Sequence, residues 1–470
     1  MTEPLWTAKQ AAEASGGRLT EGGWSATGVS IDTRTLQPGD LFIALTDRRD
    51  GHDFAQAALE KGAAAAVLVS RPEVCSGPRL VVNDVLDGLI KLGEGARRRS
   101  DAVRVGVTGS VGKTSVKEAL AAVFRKAGPA HWSEKSYNNH WGVPLTLSRM
   151  PEATRHAVFE MGMNHKGEIS TLTQMVRPHV AMITKIAPAH LENLGSMEAI
   201  ADAKSEIFEG LEADGVAVIP ADDEFAPRLM QAVQGSGAGF MLDFGLTPGA
   251  AVRILSYDEG PDGGVGRMDV MGKPMDFRLR LPGAHQAVNA AGVVAAALGA
   301  GVDPDLALDA LSELKPTAGR GVAFFAQLSK GRVIEVVDES YNANPASMRA
   351  AFSALKLRKP HGEGRKLAVI GEMLELGPDS RALHASLAEP LIEAGVDQVI
   401  GVGEGARALM DALPPALRAH WCENADTVVE SLTELARDGD VVLVKGSNAS
   451  GVHKLVSSLR DKTASATASA

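Results

Sequence analysis

The run Thr108-Gly109-Ser110-Val111-Gly112-Lys113-Thr114-Ser115 has the residue types of a phosphate cradle. It follows a short β-branched stretch and precedes the helical VKEALAAVF, so backbone N–H groups and a helix N-terminus can converge on an anion. Lys113 supplies a cation for phosphate, and Thr114 a hydroxyl for Mg²⁺. The strict P-loop pattern asks for glycine at position 107, where Val107 stands; the glycines here are Gly106, Gly109 and Gly112. A glycine-rich turn with an incidental lysine is the bland alternative, and the strand before and helix after weigh against it. Alone, the loop specifies nucleotide phosphate and leaves kinases, ATPases, GTPases and ligases open.

Glu160, His190 and Lys204 carry weaker signals. Glu160 closes the apolar HAVFE, where an open α/β sheet would turn a carboxylate toward ligand, and it could hold Mg²⁺. A solvated acid at a strand end explains it equally well. His190 lies in the loop after residues 180–183, with Glu192 close behind; a lone loop histidine is more often structural or exposed. Lys204 falls in the helical EAIADAKSEIFEGL, where pairing with Asp202 or Glu206 is the ordinary reading. An ammonium has only donors, so Lys204 could serve a metal only after carbamylation by CO₂.

Positioning such groups takes strands whose carboxyl ends meet. The sequence reads as α/β throughout, and its 470 residues suit three domains. In residues 1–85, extended runs at 28–34, 41–45, 65–69 and 80–82 and a helix from Phe54 form a small α/β domain. A helix at 85–99 leads into a central domain, residues 86–318. Its strands at 103–107, 157–161, 180–183 and 216–219 alternate with helices, as a largely parallel sheet requires. Residues 240–282 read as a small antiparallel insertion. Strands at 333–337, 367–370, 398–402 and 441–444 make 319–460 a Rossmann-like domain. The low-complexity tail, 461–470, is expected to be disordered.

Composition excludes several classes. Hydrophobic residues at 45% and charged ones at 23% are those of a folded soluble protein. A net charge of -10 argues against a nucleic-acid binder. Cys75 and Cys422 are the only cysteines, too few and too far apart for a disulfide framework or zinc site. With no long apolar run and no apolar leader pattern, a cytoplasmic location without membrane insertion is expected.

Several segments together resemble the Mur ligase family, across all three expected domains. TGSVGKTS is similar to its T-G-x-x-G-K-[ST]-[ST] loop, and YNNHWGVPLTL to NN-x-x-GVPLTL, with His140 and Trp141 replacing an acidic and an aliphatic residue. EMGMNHKGEI, AHLENLGSMEAIADAKSEIFEGL and PGAHQAVNAAGVVAAAL resemble further family stretches. The resemblance implies ATP held by Gly109, Ser110, Val111, Gly112, Lys113, Thr114 and Ser115. It places Asn289 at the adenine, with His285 nearby, and has Arg320 and Asp338 reach the nucleotide from the third domain. Thr114, Glu160, His190 and a carbamylated Lys204 would hold Mg²⁺, with Lys113, His190 and Lys204 catalytic.

DESYNANPASM, followed by VIGEMLELG, is similar to the members that add D-alanyl-D-alanine; the D-N-P-R motif of the diaminopimelate-adding members is absent. SIDTRTLQPGDLFIAL with DGHDF resembles a uridine-nucleotide domain, which would bring Ser30, Asp32, Thr33 and Arg34 near a uridine diphosphate. Asn138, Asn139, Tyr341, Asn342, Asn344, Lys445 and Ser447 are implied to bind substrate. The implied reaction activates the carboxylate of UDP-N-acetylmuramoyl-tripeptide as an acyl phosphate, for attack by the amine of D-alanyl-D-alanine. A monomer is expected. The rival readings are a same-fold ligase with another amino donor or with folate, a non-catalytic nucleotide switch, and a P-loop kinase.

Overall fold

The computed structural model describes residues 3–60 and 64–468. Near the N-terminus, a five-stranded sheet runs in the order Arg18–Leu19, Arg79–Val81, Ala64–Val69, Asp40–Ile43, Gly28–Ser30. All its pairings are parallel except that of Arg18–Leu19. The central strands are continuous apolar runs because both faces are covered. Leu41 and Ile43 join one core, and Phe42 packs with Ala55 and Ala58 on the other face.

The helix Val85–Arg99 starts where the Asp84 side chain accepts from Asp87 N at 2.8 Å, and it ends in Arg97, Arg98 and Arg99. An acceptor at the first turn and cations at the last both suit the helix dipole. Its buried Leu89, Leu92 and Ala96 pack against helix Ala8–Ser15 on one side and Gly142–Ser148 on the other. This helix therefore couples the first sheet to the second.

The central sheet has nine strands, beginning Ala130–Trp132, His156–Glu160, Val103–Thr108, Val180–Ile183, Val216–Pro220, Phe240–Gly245. It continues through Val252–Gly260, Gly263–Val270 and Lys273–Leu279. Strands from Ala130–Trp132 to Val252–Gly260 are parallel, and only the last pairings are antiparallel. The antiparallel insertion expected over 240–282 is thus a correction: Phe240–Gly245 joins the parallel part, and the meander extends the same sheet. Glycine-flanked Pro261-Asp262 closes its first hairpin, which is why the segment reads as antiparallel from sequence.

The third sheet, of six strands, orders Val322–Gln327, Val333–Glu339, Val441–Lys445, Lys366–Gly371, Gln398–Val402, Arg418–Cys422. Only Val322–Gln327 is antiparallel to its neighbour. The expected disordered tail is helical backbone as far as Ala468, continuing helix His453–Ala468, and residues 469–470 lie outside the described residues. Alanine-rich sequence extends an existing helix at little cost. Among the described residues, no helix is long and apolar enough to cross a membrane.

Candidate active site

The carboxyl end of Val103–Thr108 opens directly into the phosphate loop. Gly109 has φ 146°, and a Cβ there would lie 2.0 Å from Thr184 Oγ1, so the position accepts no side chain. Gly112, at φ 88°, caps helix Lys113–Ala127 and faces Asn289 Oδ1. Thr184 clamps the loop by donating to Thr108 O at 3.2 Å and Val111 O at 2.5 Å. Ser110 N donates to Lys185 O at 2.8 Å, and Ser110 Oγ accepts from Ala187 N at 3.0 Å. The loop is thus held from the neighbouring strand with its N–H groups at a helix N-terminus, the geometry of an anion site.

A cavity of about 560 Å³ lies over this loop, between the central and third sheets. From the central sheet it is lined by Ser110, Val111, Gly112, Lys113, Thr114, Ser115, Asn138, Glu160, His190 and Asn289. Arg320, Tyr341, Asn342, Asn344 and Lys445 line it from the third. Strand order explains the convergence: His156–Glu160 flanks the loop strand on one side and Val180–Ile183 on the other.

Lys113 Nζ donates to Gly109 O at 2.6 Å. Burial lowers its pKa, with Glu160 opposing that shift and Arg320 adding to it. Glu160 is 1% exposed; Oε1 accepts from Asn138 Nδ2 at 2.8 Å, while Oε2 is buried without a partner. Lys204, also 1% exposed, has its pKa pushed well below the ordinary lysine value by burial and by the charge of Lys113. It does not line the cavity itself. His190 occupies a left-handed conformation at φ 57°, and its Nδ1 lies 2.5 Å from Glu375 Oε2, a contact off the hydrogen-bonding angle.

The third sheet's contribution is tied down locally. The Arg320 guanidinium sits 4.2 Å from the centre of the Tyr341 ring. Tyr341 donates through its hydroxyl to Ser136 Oγ at 2.7 Å, and Ser136 Oγ lies 3.3 Å from Thr114 Oγ1. Asn344 caps helix Pro345–Leu357 in a capping box with Ser347. Lys445, 2% exposed, donates to Asn342 O at 3.0 Å and pairs with Glu339 at 3.6 Å. Burial moves both members toward neutrality, Glu339 upward and Lys445 downward, and each partly restrains the other. His285 is held at about 4 by burial and then by Lys445, so it is a neutral imidazole.

Some expected site residues are held in local hydrogen bonds. Asn139 Oδ1 accepts from Trp141 N and Gly142 N at 3.2 and 2.9 Å, securing the start of helix Gly142–Ser148. Ser447 donates to Glu372 O at 2.7 Å, joining adjacent loops. Asp338, 3% exposed, accepts from Gly319 N at 2.9 Å and Ser340 Oγ at 2.6 Å; it positions the Arg320 loop from behind the cavity. Ser136, Thr184, Lys185 and Glu339 line the cavity without having been singled out. For Thr184 and Lys185 the available signal was their place just after a parallel strand.

In the first sheet, Arg34 grips both oxygens of Asp32, with Nε at 2.9 Å and NH2 at 2.6 Å, and holds its carboxyl at about 2. Ser30 is buried, its hydroxyl donating to Asp32 O at 3.2 Å, and Thr33 is half-buried beside them. This turn is separate from the cavity, and the charge of Lys135, from the central domain, adds slightly to the lowering of the Asp32 pKa. A groove of about 820 Å³ between the two domains is lined by Gly28, Val29, Thr35 and Gln37, not by the turn itself.

A phosphate loop, a buried acid and basic groups from a second α/β unit sharing one cleft are the parts of an ATP-dependent ligase. The models of the Mur ligase family, catalytic domain, the Mur ligase middle domain and the Mur ligase, glutamate ligase domain match residues 25–87, 107–297 and 324–448. The chain belongs to the Mur ligase family. It is 34% identical to the UDP-N-acetylmuramoyl-tripeptide--D-alanyl-D-alanine ligase of Escherichia coli (strain K12), over 97% of this chain and 98% of that one. The enzyme of that name from Rickettsia prowazekii (strain Madrid E) is 32% identical over 96% and 99%. A crystal structure of MurF from Acinetobacter baumannii matches with TM-score 0.84 at 30% identity, over 98% and 99% of the two chains. The MurF ligase from Thermotoga maritima in complex with ADP matches with TM-score 0.77 at 26% identity, over 93% and 97%.

Proposed function

We propose that this protein joins D-alanyl-D-alanine to UDP-N-acetylmuramoyl-tripeptide at the expense of ATP, by way of an acyl phosphate. The observation that carries the reading is the shared cavity, where the phosphate loop faces Arg320, Tyr341, Asn342 and Lys445 of the third domain. Full-length similarity to ligases of that name supports the choice of substrates. A carboxylate is a poor electrophile. Passing the terminal phosphoryl group of ATP to it makes a mixed anhydride, and the dipeptide amine then displaces phosphate to leave an amide, ADP and orthophosphate.

The chain's own groups fit this chemistry. Loop N–H groups and Lys113 bind and orient the phosphates, the main demand of phosphoryl transfer. Arg320 sets positive charge opposite the developing oxyanions, and Lys445 lines the same wall. The uncommitted, buried Glu160 Oε2 and the Thr114 hydroxyl suit Mg²⁺, which takes few protein ligands beside phosphate. Bound there, the ion would neutralise phosphate charge. Lys204 is suited to carbamylation: burial, and then the charge of Lys113, favours the neutral amine that attacks CO₂, and no described residue bonds its Nζ. The carbamate would give this lysine anionic oxygens, which with His190 could serve a second ion. Asp32 and Arg34 are assigned to the uridine diphosphate end.

The test is phosphate release by the purified protein with UDP-N-acetylmuramoyl-tripeptide, ATP and a panel of amino donors, with mass spectrometry of the product. D-alanyl-D-alanine should support turnover and yield the pentapeptide nucleotide. Turnover with a different donor, or nucleotide binding without donor-dependent turnover, would displace this reading.

A further inference from the structure

The third domain presents Glu375 to His190 on a turn that is over-anchored for an exposed loop. Met373 and Leu376, on either side of the exposed Leu374-Glu375 pair, are each 2% exposed in that domain's core. Met373 N donates to His384 Nε2 at 2.9 Å, while His384 Nδ1 lies 2.7 Å from Ser380 O. His384 is fully buried, and burial lowers its pKa, so it stays a neutral acceptor for the turn. Just upstream, the Glu372 carboxylate accepts from Gly405 N at 3.0 Å and its carbonyl from Ser447 Oγ at 2.7 Å.

The contact with the central domain is equally specific. Glu375 stands at φ 61° and His190 at φ 57°, so both facing residues hold a conformation that L side chains rarely adopt. Such strain persists where surrounding structure imposes it, and it concentrates at functional positions. Glu192 N approaches Glu375 O at 3.5 Å, and Gly377 leaves no room to spare over the Glu192 backbone, where a Cβ would come within 3.3 Å of Cα. His190 lines the nucleotide cavity, yet its Nδ1 meets Glu375, and no described residue engages Nε2.

We propose that Glu375 is a positioning residue for His190: closure of the third domain delivers a carboxylate to Nδ1, fixes the ring and its tautomer, and leaves Nε2 for a metal ion in the cavity. This rests on the reading of His190 as a metal ligand. A carboxylate on the far nitrogen of a metal-binding histidine orients the ring and raises its basicity. Because the carboxylate comes from another domain, the metal site is complete only when the cleft is shut.

Mn²⁺ titration of the full-length protein, saturated with a non-hydrolysable ATP analogue and followed by EPR of free Mn²⁺, tests this without turnover. Glu375→Ala should weaken the weaker Mn²⁺ site about ten- to a hundred-fold, Glu375→Gln, which keeps an acceptor, should recover much of it, and melting curves check folding. His190→Ala should show a comparable loss, and the double variant should be no worse than His190→Ala alone. Normal Mn²⁺ binding in Glu375→Ala beside weakened binding in His190→Ala, or additive losses, would overturn the role of Glu375. Unchanged binding in His190→Ala would instead remove the metal reading of that histidine, and the proposal with it.

Discussion

Lys204 shows how far a residue's meaning depends on what surrounds it. In the sequence it is one lysine in a charged helical stretch, and its ordinary role would be a surface ion pair. Folded, it is 1% exposed, while the neighbouring Asp202 is taken by Arg228. Because the folded lysine releases its proton more readily than the unfolded chain does, unfolding takes up a proton between the lowered pKa and 10.5. Stability of the unliganded protein should therefore rise with pH across that window. Lys204→Met should melt higher than wild type at neutral pH, with the gap closing toward pH 10.5, and should lose ligase activity about a hundred-fold or more. Melting curves over pH check the first part; ¹³C-bicarbonate NMR should give a carbamate signal in wild type alone. Lys113→Ala should lower kcat about 10²- to 10³-fold with the fold intact, as loss of one oriented cation does elsewhere. Lys204 did not stand out by type or spacing, and Glu160 only by its strand-end place, which a solvated acid explains equally well; resemblance to a known family raised both, since burial is invisible in a helical or strand-end pattern.

Elements were more legible where they are buried on both faces. The helix Val85–Arg99 and the strand Val180–Ile183 have the bounds that capping and apolar runs suggest. Edge strands escaped: Ala130–Trp132, Val322–Gln327 and Arg418–Cys422 each pair on one side only; the first and last lack a continuous apolar run, and VAFFAQ is apolar throughout most of its length, without the alternation of a half-exposed strand. The phosphate loop was readable because its glycines answer local demands. Gly109→Ala would force a Cβ onto Thr184, so we expect ATP affinity to collapse by calorimetry while circular dichroism stays native. Asn344→Ala removes the cap of helix Pro345–Leu357 and should cost about 1 kcal/mol in urea denaturation. Asn139, outside the cavity lining, accepts from Trp141 N and Gly142 N; an Asn there is as readily a local acceptor as a ligand.

At the scale of the molecule, the active site is a property of the cleft between domains. Tyr341 bridges it by its bond to Ser136, and Arg358, buried with Glu335, donates across it to Pro261 O at 3.1 Å on the meander's hairpin. Sequence names the residues on each side and is silent on their meeting, because contacts 205 and 97 positions apart leave no local pattern. Tyr341→Phe should keep the stacking on Arg320 and lose only the bridge. One hydrogen bond contributes about 0.5–1.5 kcal/mol, so KM for ATP should rise roughly three- to ten-fold, with small-angle scattering of the nucleotide complex shifted toward a more open form.

The decisive measurement follows oxygen. UDP-N-acetylmuramoyl-tripeptide labelled with ¹⁸O in its terminal carboxylate, turned over with ATP and D-alanyl-D-alanine, should release orthophosphate carrying one labelled oxygen, because the carboxylate oxygen that accepts the phosphoryl group departs with it. Orthophosphate free of label, in a reaction that still forms the amide, would contradict the acyl phosphate and with it the account of why these domains enclose ATP.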